Sequence, residues 1–408
     1  MRETWPALGR PLADLRIVEL SSYVATPLSG LVLAQLGAEV IRVEPLGGGA
    51  DRTRRPLAES GTSLYWSGLN NDKRAVAVNF GTAEGRRLVA DLIVSGGDRG
   101  GIVISNSERY DDLTFATLSE RRSDLIHVQL TGRRDGAPAV DYTVQAATGF
   151  PMVTGPEGSS TPVNTVFPAF DVAAGLYLAT GLLAAERARR MTGRGQQVRL
   201  ALEDVALAMA GTLGYLAEAQ LMGTTFAGSG NYVYGVFGRD FRSVDGTRFM
   251  LVILTTRHWH ALLEATGLSD VVTSVAKATD ADFDDEGERY RCRRVLGSLL
   301  EEWFGRRTYA ELEETLGRAR VLWAPYRTFA DLGADDAALL RGNPLFADVE
   351  QPGVGRYLAP GSPLVLGGAQ VPPTAAPAVG EHTDAVLARE LSYTTEHLKM
   401  LREDGHIG

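Results

Sequence analysis

From residue 15 onward, short apolar runs alternate with longer segments whose apolar positions recur at helical spacing. Residues 15–20 (Leu-Arg-Ile-Val-Glu-Leu) read as a strand, 27–36 as an apolar helix, Gly37 as its stop signal, and 38–44 as a second strand. Strand, helix and strand within about thirty residues make a βαβ unit, which demands a parallel sheet. An alternating run reaching Phe80, with Lys73 and Arg74 just before it, and runs at 101–106 and 124–131 extend the same sheet.

The longest apolar stretch carries no charge from Val172 to Ala185, and then Glu186, Arg187, Arg189 and Arg190 follow. An all-round apolar segment of that length predicts a helix buried among other elements. A second such helix is expected over 201–222, with Glu203, Asp204 and Glu218 as its charges. The texture then changes. Residues 223–230 have linker or lid composition. The runs 231–241 and 248–254 flank a turn at Asp245-Gly246 and predict a β-hairpin. Charge-rich helical sequence fills 257–318, and a short strand follows at 321–326. The tail is punctuated by proline and glycine until Gly380-Glu-His-Thr-Asp384 opens a last helix. These shifts divide the chain into a large domain over 1–222, a smaller α+β domain over 224–332, and a return to the large domain over 333–408. The expected fold class is α/β, with a Rossmann-like parallel sheet in the large domain.

Asp171 stands directly before the uncharged stretch. One reading makes it a capping aspartate, worth about 1 kcal/mol at a helix N-terminus. The other makes it a nucleophilic carboxylate of the kind that forms acyl anhydrides. Gly175 and Gly181, in the same stretch, would let other backbone come close, which fits either reading.

Composition narrows the function. The 408 residues are 44% hydrophobic and 22% charged, ordinary for a globular protein with a sizeable core. A net charge of −9 argues against general nucleic-acid binding. Cys292 is the sole cysteine, so no intramolecular disulfide forms, which fits a reducing cytoplasm. No apolar signal region follows Met1, and the uncharged stretch is too short to span a bilayer. The expected setting is therefore cytoplasmic, without membrane or nucleic-acid partners.

The turn after the first strand reads Ser21-Ser-Tyr-Val-Ala-Thr-Pro27, without the glycines of a dinucleotide fingerprint. Arg42, Lys73, Arg74, Asn106, Arg133 and Arg134 lie near predicted strand ends, where open parallel sheets collect ligands. Singly, each is an ordinary surface group. Together they suit phosphates or carboxylates. His258 and His260 lack a third metal ligand, so no metal site is expected. Cys292 sits among arginines that can lower a thiol pKa, although a half-buried structural cysteine is the plainer reading.

With these segments in view, the chain resembles the class III CoA-transferases, which include formyl-CoA transferase and the α-methylacyl-CoA racemases. The carriers are Leu-Ala-Gln-Leu-Gly-Ala-Glu-Val-Ile-Arg-Val-Glu-Pro at 33–45, Leu-Asn-Asn-Asp-Lys-Arg at 69–74, Phe-Asp-Val-Ala-Ala-Gly-Leu-Tyr at 170–177, residues 308–332, and 380–387. Single motifs are weak, but the ordered set is specific and spans nearly the whole chain. The resemblance implies a large domain built from both chain ends, a small domain inserted between, and an interlocked homodimer. It implies Asp171 as the nucleophile, passing through an aspartyl-CoA thioester. Val24, Ala25, Arg42, Leu69, Lys73, Arg74 and Asn106 would line the CoA site, with Gly228 and Gly230 in a mobile loop. Acyl-CoA is then the substrate and coenzyme A the carried group, with no permanently bound cofactor.

Segments 132–136, 140–144 and 230–241 look most like family members that move CoA between the two ends of one methyl-branched C4 dicarboxylate. Arg133, Arg134 or Arg239 would hold the distal carboxylate; their plainer reading is salt bridging. Backbone N–H groups at the start of the Asp171 helix would stabilise oxyanions. The racemases place histidine where this chain has Val140, so racemisation lacks one of its two acid–base groups. Near Asn106 the transferases usually have Asn-Phe-Arg, whereas here Ser107 and Glu108 follow. Intermolecular CoA transfer and a silent CoA-binding scaffold stand as the alternatives.

Overall fold

The run at 15–20 becomes the centre of a parallel sheet. The computed structural model describes residues 10–107, 109–223, 227–334, 337–368 and 370–408. Its elements are β1 (Arg16–Leu20), α1 (Ala25–Gln35), β2 (Glu39–Glu44), α2 (Leu64–Asn70), β3 (Arg74–Ala77), α3 (Ala83–Val94), β4 (Ile102–Ser105), α4 (Phe115–Arg121) and β5 (Ile126–Thr131). Then come α5 (Asp141–Ala147), α6 (Phe150–Val153), α7 (Ala169–Thr192), β6 (Gln196–Ala201), α8 (Leu202–Thr212) and α9 (Tyr215–Met222). The chain splits into two compact units.

The first unit comprises Met1–Thr148, Val166–Leu221 and Asp336–Gly408. Its sheet runs β3-β2-β1-β4-β5-β6, with every neighbouring pair parallel. The order reverses between β1 and β4, the switch point of a doubly wound fold. Strands covered on both faces read as continuous apolar runs, and β4 (Ile-Val-Ile-Ser) is buried throughout. The edge strand β6 was not legible in this way. Its sequence Gln-Gln-Val-Arg-Leu-Ala keeps several positions exposed or half-buried.

The C-terminal segment folds back into the same unit. It adds the hairpin β10 (Phe346–Gln351) and β11 (Gly355–Pro360), then α16 (Thr383–Leu391) and α17 (Thr395–Glu403). Leu387, Leu398, Leu401 and Ile407 join the core that Val76, Leu88 and Leu92 begin. The Gly408 N–H donates to Ala77 O at 3.1 Å, tying the chain end to β3.

α7 is the long helix predicted after residue 171, and it packs against α1. Gly175 permits the approach: a Cβ there would lie 2.8 Å from Ala25 O. By length and composition α7 passes for a membrane span. Its stripe of Ala174, Gly175, Leu178, Leu182 and Ala185 is nevertheless buried in the unit's core. The all-round burial predicted from composition is not found in the single chain: Leu176 and Tyr177 are about half exposed. The helix expected over 201–222 is broken into α8 and α9, which meet at 63°. Gly214, at φ +87°, turns the backbone left-handed between them.

The second unit comprises Gly149–Thr165 and Met222–Asp335. Residues 149–165 thus group with the smaller unit rather than with the large domain to which 1–222 was assigned. Residues 224–226, where the small domain was expected to begin, lie outside the described residues. The predicted hairpin forms β7 (Phe237–Arg242) and β8 (Arg248–Ile253), and β9 (Leu322–Pro325) pairs antiparallel with β8. Helices α10 (Thr256–Thr266), α11 (Ser269–Thr279), α12 (Glu286–Arg291), α13 (Arg293–Phe304) and α14 (Tyr309–Ala319) accompany this sheet, with α15 (Phe329–Ala334) after it. Phe237, Phe249, Trp259 and Phe304 form its aromatic core.

Candidate active site

Two cavities open at the carboxyl ends of the large sheet, one on each side of the switch point. The larger, about 720 Å³, is lined by the ends of β1 to β4, including Val43, Val78, Phe80, Ser105 and Tyr110. The smaller, about 390 Å³, is lined by Tyr23, Val24, Ala25, Gln129, Thr131, Val140 and Asp171. Ser22 and Asn106 line both. The Asn106 side chain donates to Ser22 O at 2.9 Å, so the amide fastens the two strand ends that divide the cavities.

Asp171 does not cap α7. The cap position is Pro168, which offers no side-chain bond, and Asp171 lies in the first turn. The capping carboxylate comes from Asp141, thirty residues earlier and 2% exposed. Its Oδ2 accepts the N–H of Phe170 at 2.8 Å and of Asp171 at 3.0 Å. Gln145 Nε2 bonds its other oxygen. Asp171 is thereby relieved of capping, and its carboxylate accepts no hydrogen bond from the described residues. Burial, then the neighbouring Asp141 charge, push its pKa up to about 7, against a lowering pull from Arg54. A carboxylate so little solvated and so little hydrogen-bonded is suited to nucleophilic attack.

The same arrangement corrects the expected oxyanion site. The N–H groups of Phe170 and Asp171 are occupied by Asp141, and that of Ala169 donates to Phe167 O. The start of α1 is different: its cap residue Val24 gives no side-chain bond, and Val24 and Ala25 face the Asp171 cavity. Gln129 lines it too. Its Oε1 accepts from Gln197, and its buried Nε2 has no partner among the described residues.

A CoA-transferase family III model matches residues 12–383. The chain belongs to this family. It is 46% identical over 398 residues to the 2-methylfumaryl-CoA isomerase of Chloroflexus aurantiacus, covering 97% of both chains. It is 29% identical to a succinyl-CoA:mesaconate CoA-transferase of Haloarcula marismortui, covering 92% of this chain and 95% of that one. Among solved structures, a CAIB/BAIF family protein from Brucella suis superimposes with a TM-score of 0.75 at 25% identity, covering 93% of this chain and 99% of that one. A hypothetical protein from Mycobacterium tuberculosis gives 0.74 at 25% identity, covering 93% and 100%. The chain is thus a class III CoA-transferase enzyme with the α/β fold expected of it.

Of the residues expected at this transferase's CoA site, Val24, Ala25 and Asn106 share the Asp171 cavity. Arg42, Leu69, Lys73 and Arg74 line neither cavity of the large unit. Arg42 is wholly buried, gripping Asp51 at 2.9 Å and Glu19 at 3.3 Å. Lys73 Nζ donates to Glu19, Pro27 O and Asn70 within 3.0 Å, using all three of its protons. Gly30 leaves room for this network: a Cβ there would collide with Glu19 Oε2. Arg74 lies at the amino end of β3, away from the ligand side, and pairs with Glu39 at 2.9 Å. Leu69 is half-buried on α2.

The arginines expected to hold a distal carboxylate are also engaged. Arg133 pairs with Glu203 at 3.3 Å and Arg134 with Asp204 at 2.8 Å. Arg239, in the second unit, lies between Tyr232 and Phe241 and reaches Glu301 at 3.5 Å. Gly228 and Gly230 belong to that unit as well, and the Gly230 N–H donates to Gly155 O at 2.9 Å. Glu108 lies outside the described residues. No group of three or more His, Cys, Asp or Glu able to hold a metal occurs among the described residues.

Asp141, which bonds the Asp171 N–H, Gln129, which lines the cavity, and Arg54, whose charge acts on Asp171, were not foreseen there. Arg54 sits in a visible basic cluster after a triple-glycine turn, but the sequence does not say that Arg52 takes Glu44 while Arg54 and Arg55 pair with no carboxylate among the described residues. Asp141 is thirty residues from the helix it caps, and no local pattern announces that distance.

Proposed function

We propose that the enzyme moves CoA between the C1 and C4 carboxyl groups of 2-methylfumaryl-CoA, through an aspartyl-CoA thioester on Asp171. The observation that carries this reading is the Asp171 carboxylate itself: relieved of capping by Asp141, without a hydrogen bond from the described residues, and set in a cavity at the sheet's switch point. The 46% identity to a 2-methylfumaryl-CoA isomerase supports the acyl group and the intramolecular outcome.

Asp171 attacks the C1 thioester carbonyl, and the oxyanion collapses to expel CoA thiolate, leaving a mixed anhydride. The thiolate attacks the Asp171 carbonyl carbon, releasing the C1 carboxylate and forming the aspartyl-CoA thioester. The C4 carboxylate then attacks that carbon and expels thiolate, giving the second anhydride. Thiolate attack at the C4 carbonyl yields the 4-CoA ester and regenerates the Asp171 carboxylate. Each step exchanges one activated acyl group for another, and no net proton is taken up. The uncapped start of α1 supplies oxyanion stabilisation. The larger cavity, with its stacked Phe80–Tyr110 pair 5.8 Å apart, takes the carrier end of CoA. The exposed apolar residues Leu176, Tyr177, Leu213 and Leu221 suit cover by a second copy, in the homodimer that the family resemblance implies.

Incubating the enzyme with 2-methylfumaryl-1-CoA alone tests the reading. A second CoA ester should appear by chromatography without free acid. Turnover only when a free acid is added, with that acid's label entering the ester, would replace it by intermolecular transfer.

A further inference from the structure

We propose that Arg54 receives the carboxylate of the substrate that is not reacting, with the Tyr65 hydroxyl as its second donor. The proposal rests on the dicarboxylate reading above and names the residue that gives it specificity.

Three observations carry it. First, Arg54 makes no ion pair with any described residue. The adjacent Arg55 is likewise unpaired among the described residues, whereas Arg52 grips Glu44 at 2.6 Å and Arg42 is committed to Asp51 and Glu19. The Arg54 guanidinium instead lies over two aromatic rings, 5.0 Å from the centre of Tyr65 and 5.7 Å from that of Tyr23. Stacked guanidinium is held in orientation while its N–H edge stays available for a planar carboxylate.

Second, the Tyr65 hydroxyl oxygen is buried and has no hydrogen-bond partner among the described residues. A buried polar atom left unmatched is costly unless a ligand or water completes it. Burial raises its pKa to about 12, with Arg54 opposing and Asp171 adding to the rise, so the hydroxyl stays a donor. The same electrostatics show that Arg54, Tyr65 and Asp171 feel one another's charge.

Third, Tyr23, which lines the reaction cavity and lies under Arg54, is held there at a conformational cost. Its φ is +68°, a left-handed backbone rarely taken by a bulky residue. Its N–H is pinned by Asp51 Oδ2 at 3.1 Å, and Asp51 is in turn fixed by Arg42. The buried ion pair thus positions an aromatic face beside Arg54.

Intramolecular transfer needs such a receptor. Once the aspartyl-CoA thioester forms, both ends of the dicarboxylate are free, and the molecule must turn end for end without escaping. A single fixed cation serves either end, because each carboxylate is in turn the one not attacked.

The test is affinity, measured by calorimetry in an Asp171→Asn background so that no ester turns over. The probes are 2-methylfumaryl-1-CoA and methacrylyl-CoA, which lacks only the distal carboxylate. Arg54→Gln should weaken the first by about 100-fold and the second by less than about 3-fold. Tyr65→Phe, which keeps the ring, should weaken only the first, by about 5-fold. Equal losses for both esters would make Arg54 a structural or CoA contact, and no loss for either would remove it from the site; either result overturns the proposal. Failure of the wild type to interconvert the two esters would sink the reaction proposed above, while the affinity difference would still report the receptor.

Discussion

Asp141 accepts the backbone N–H of Asp171 at 3.0 Å, so one aspartate caps the helix whose first turn carries the other. Two carboxylates at one helix start repel each other. The cap is spent on the first, and the second is left basic. Removing the Asp141 charge should therefore lower the pKa of Asp171. For the wild type, kcat/KM should rise with pH through about 7 as Asp171 ionises. In Asp141→Asn that limb should move to lower pH, while desolvation keeps it above the ordinary carboxylate range. A pH–rate profile for both proteins checks this, and an unmoved limb would assign the titration elsewhere.

The raised pKa also makes a stability prediction. The folded-state value of about 7 exceeds the unfolded value of about 4, so the native protein holds the proton more tightly. Stability from this group is intact below the unfolded pKa and is lost as pH rises through the folded one. Asp171→Asn should accordingly raise Tm at pH 8, by a free energy of at most about 4 kcal/mol, and leave it nearly unchanged at pH 4. Thermal melts at the two pH values measure the difference.

Lys73 and Arg42 are core residues by geometry. Lys73→Met leaves Glu19 buried with one cation fewer and should cost about 3 kcal/mol of stability. CoA affinity of the folded fraction should change less than about 2-fold. Denaturant unfolding and CoA titration read the two effects separately. A selective loss of CoA affinity would return Lys73 to the ligand site.

Gly175 allows the contact between α1 and α7. Alanine is the better helix former by about 1 kcal/mol, yet its Cβ would lie 2.8 Å from Ala25 O. Gly175→Ala should therefore destabilise, by about 1–2 kcal/mol net, and lower kcat by shifting Asp171 against the start of α1. A more stable, fully active variant would show that the helices tolerate separation.

Much of the fold could be read from the chain because parallel strands announce themselves as apolar runs. β1, β2, β4 and β5 are of this kind. β6 escaped because an edge strand keeps polar positions, and the break at Gly214 escaped because α8 and α9 share one apolar composition. The proposed nucleophile is marked in the sequence by its surroundings: a single acid before fourteen uncharged residues. Its partners were not. Charge alone marked Arg42, Lys73, Arg133 and Arg134 as ligand groups, but whether a cation is free depends on which carboxylates the fold brings beside it. Glu19, Asp51, Glu203 and Asp204 meet theirs, whereas Arg54 meets no carboxylate among the described residues.

On the proposed mechanism, Asp171 is acylated and then thioesterified during turnover. Borohydride added to enzyme turning over 2-methylfumaryl-1-CoA should reduce that thioester to the alcohol and inactivate the protein. Mass spectrometry of the digest should place the lesion at Asp171, and only when substrate is present. Substrate-dependent inactivation that leaves Asp171 intact would contradict the account, as would full turnover by Asp171→Ala.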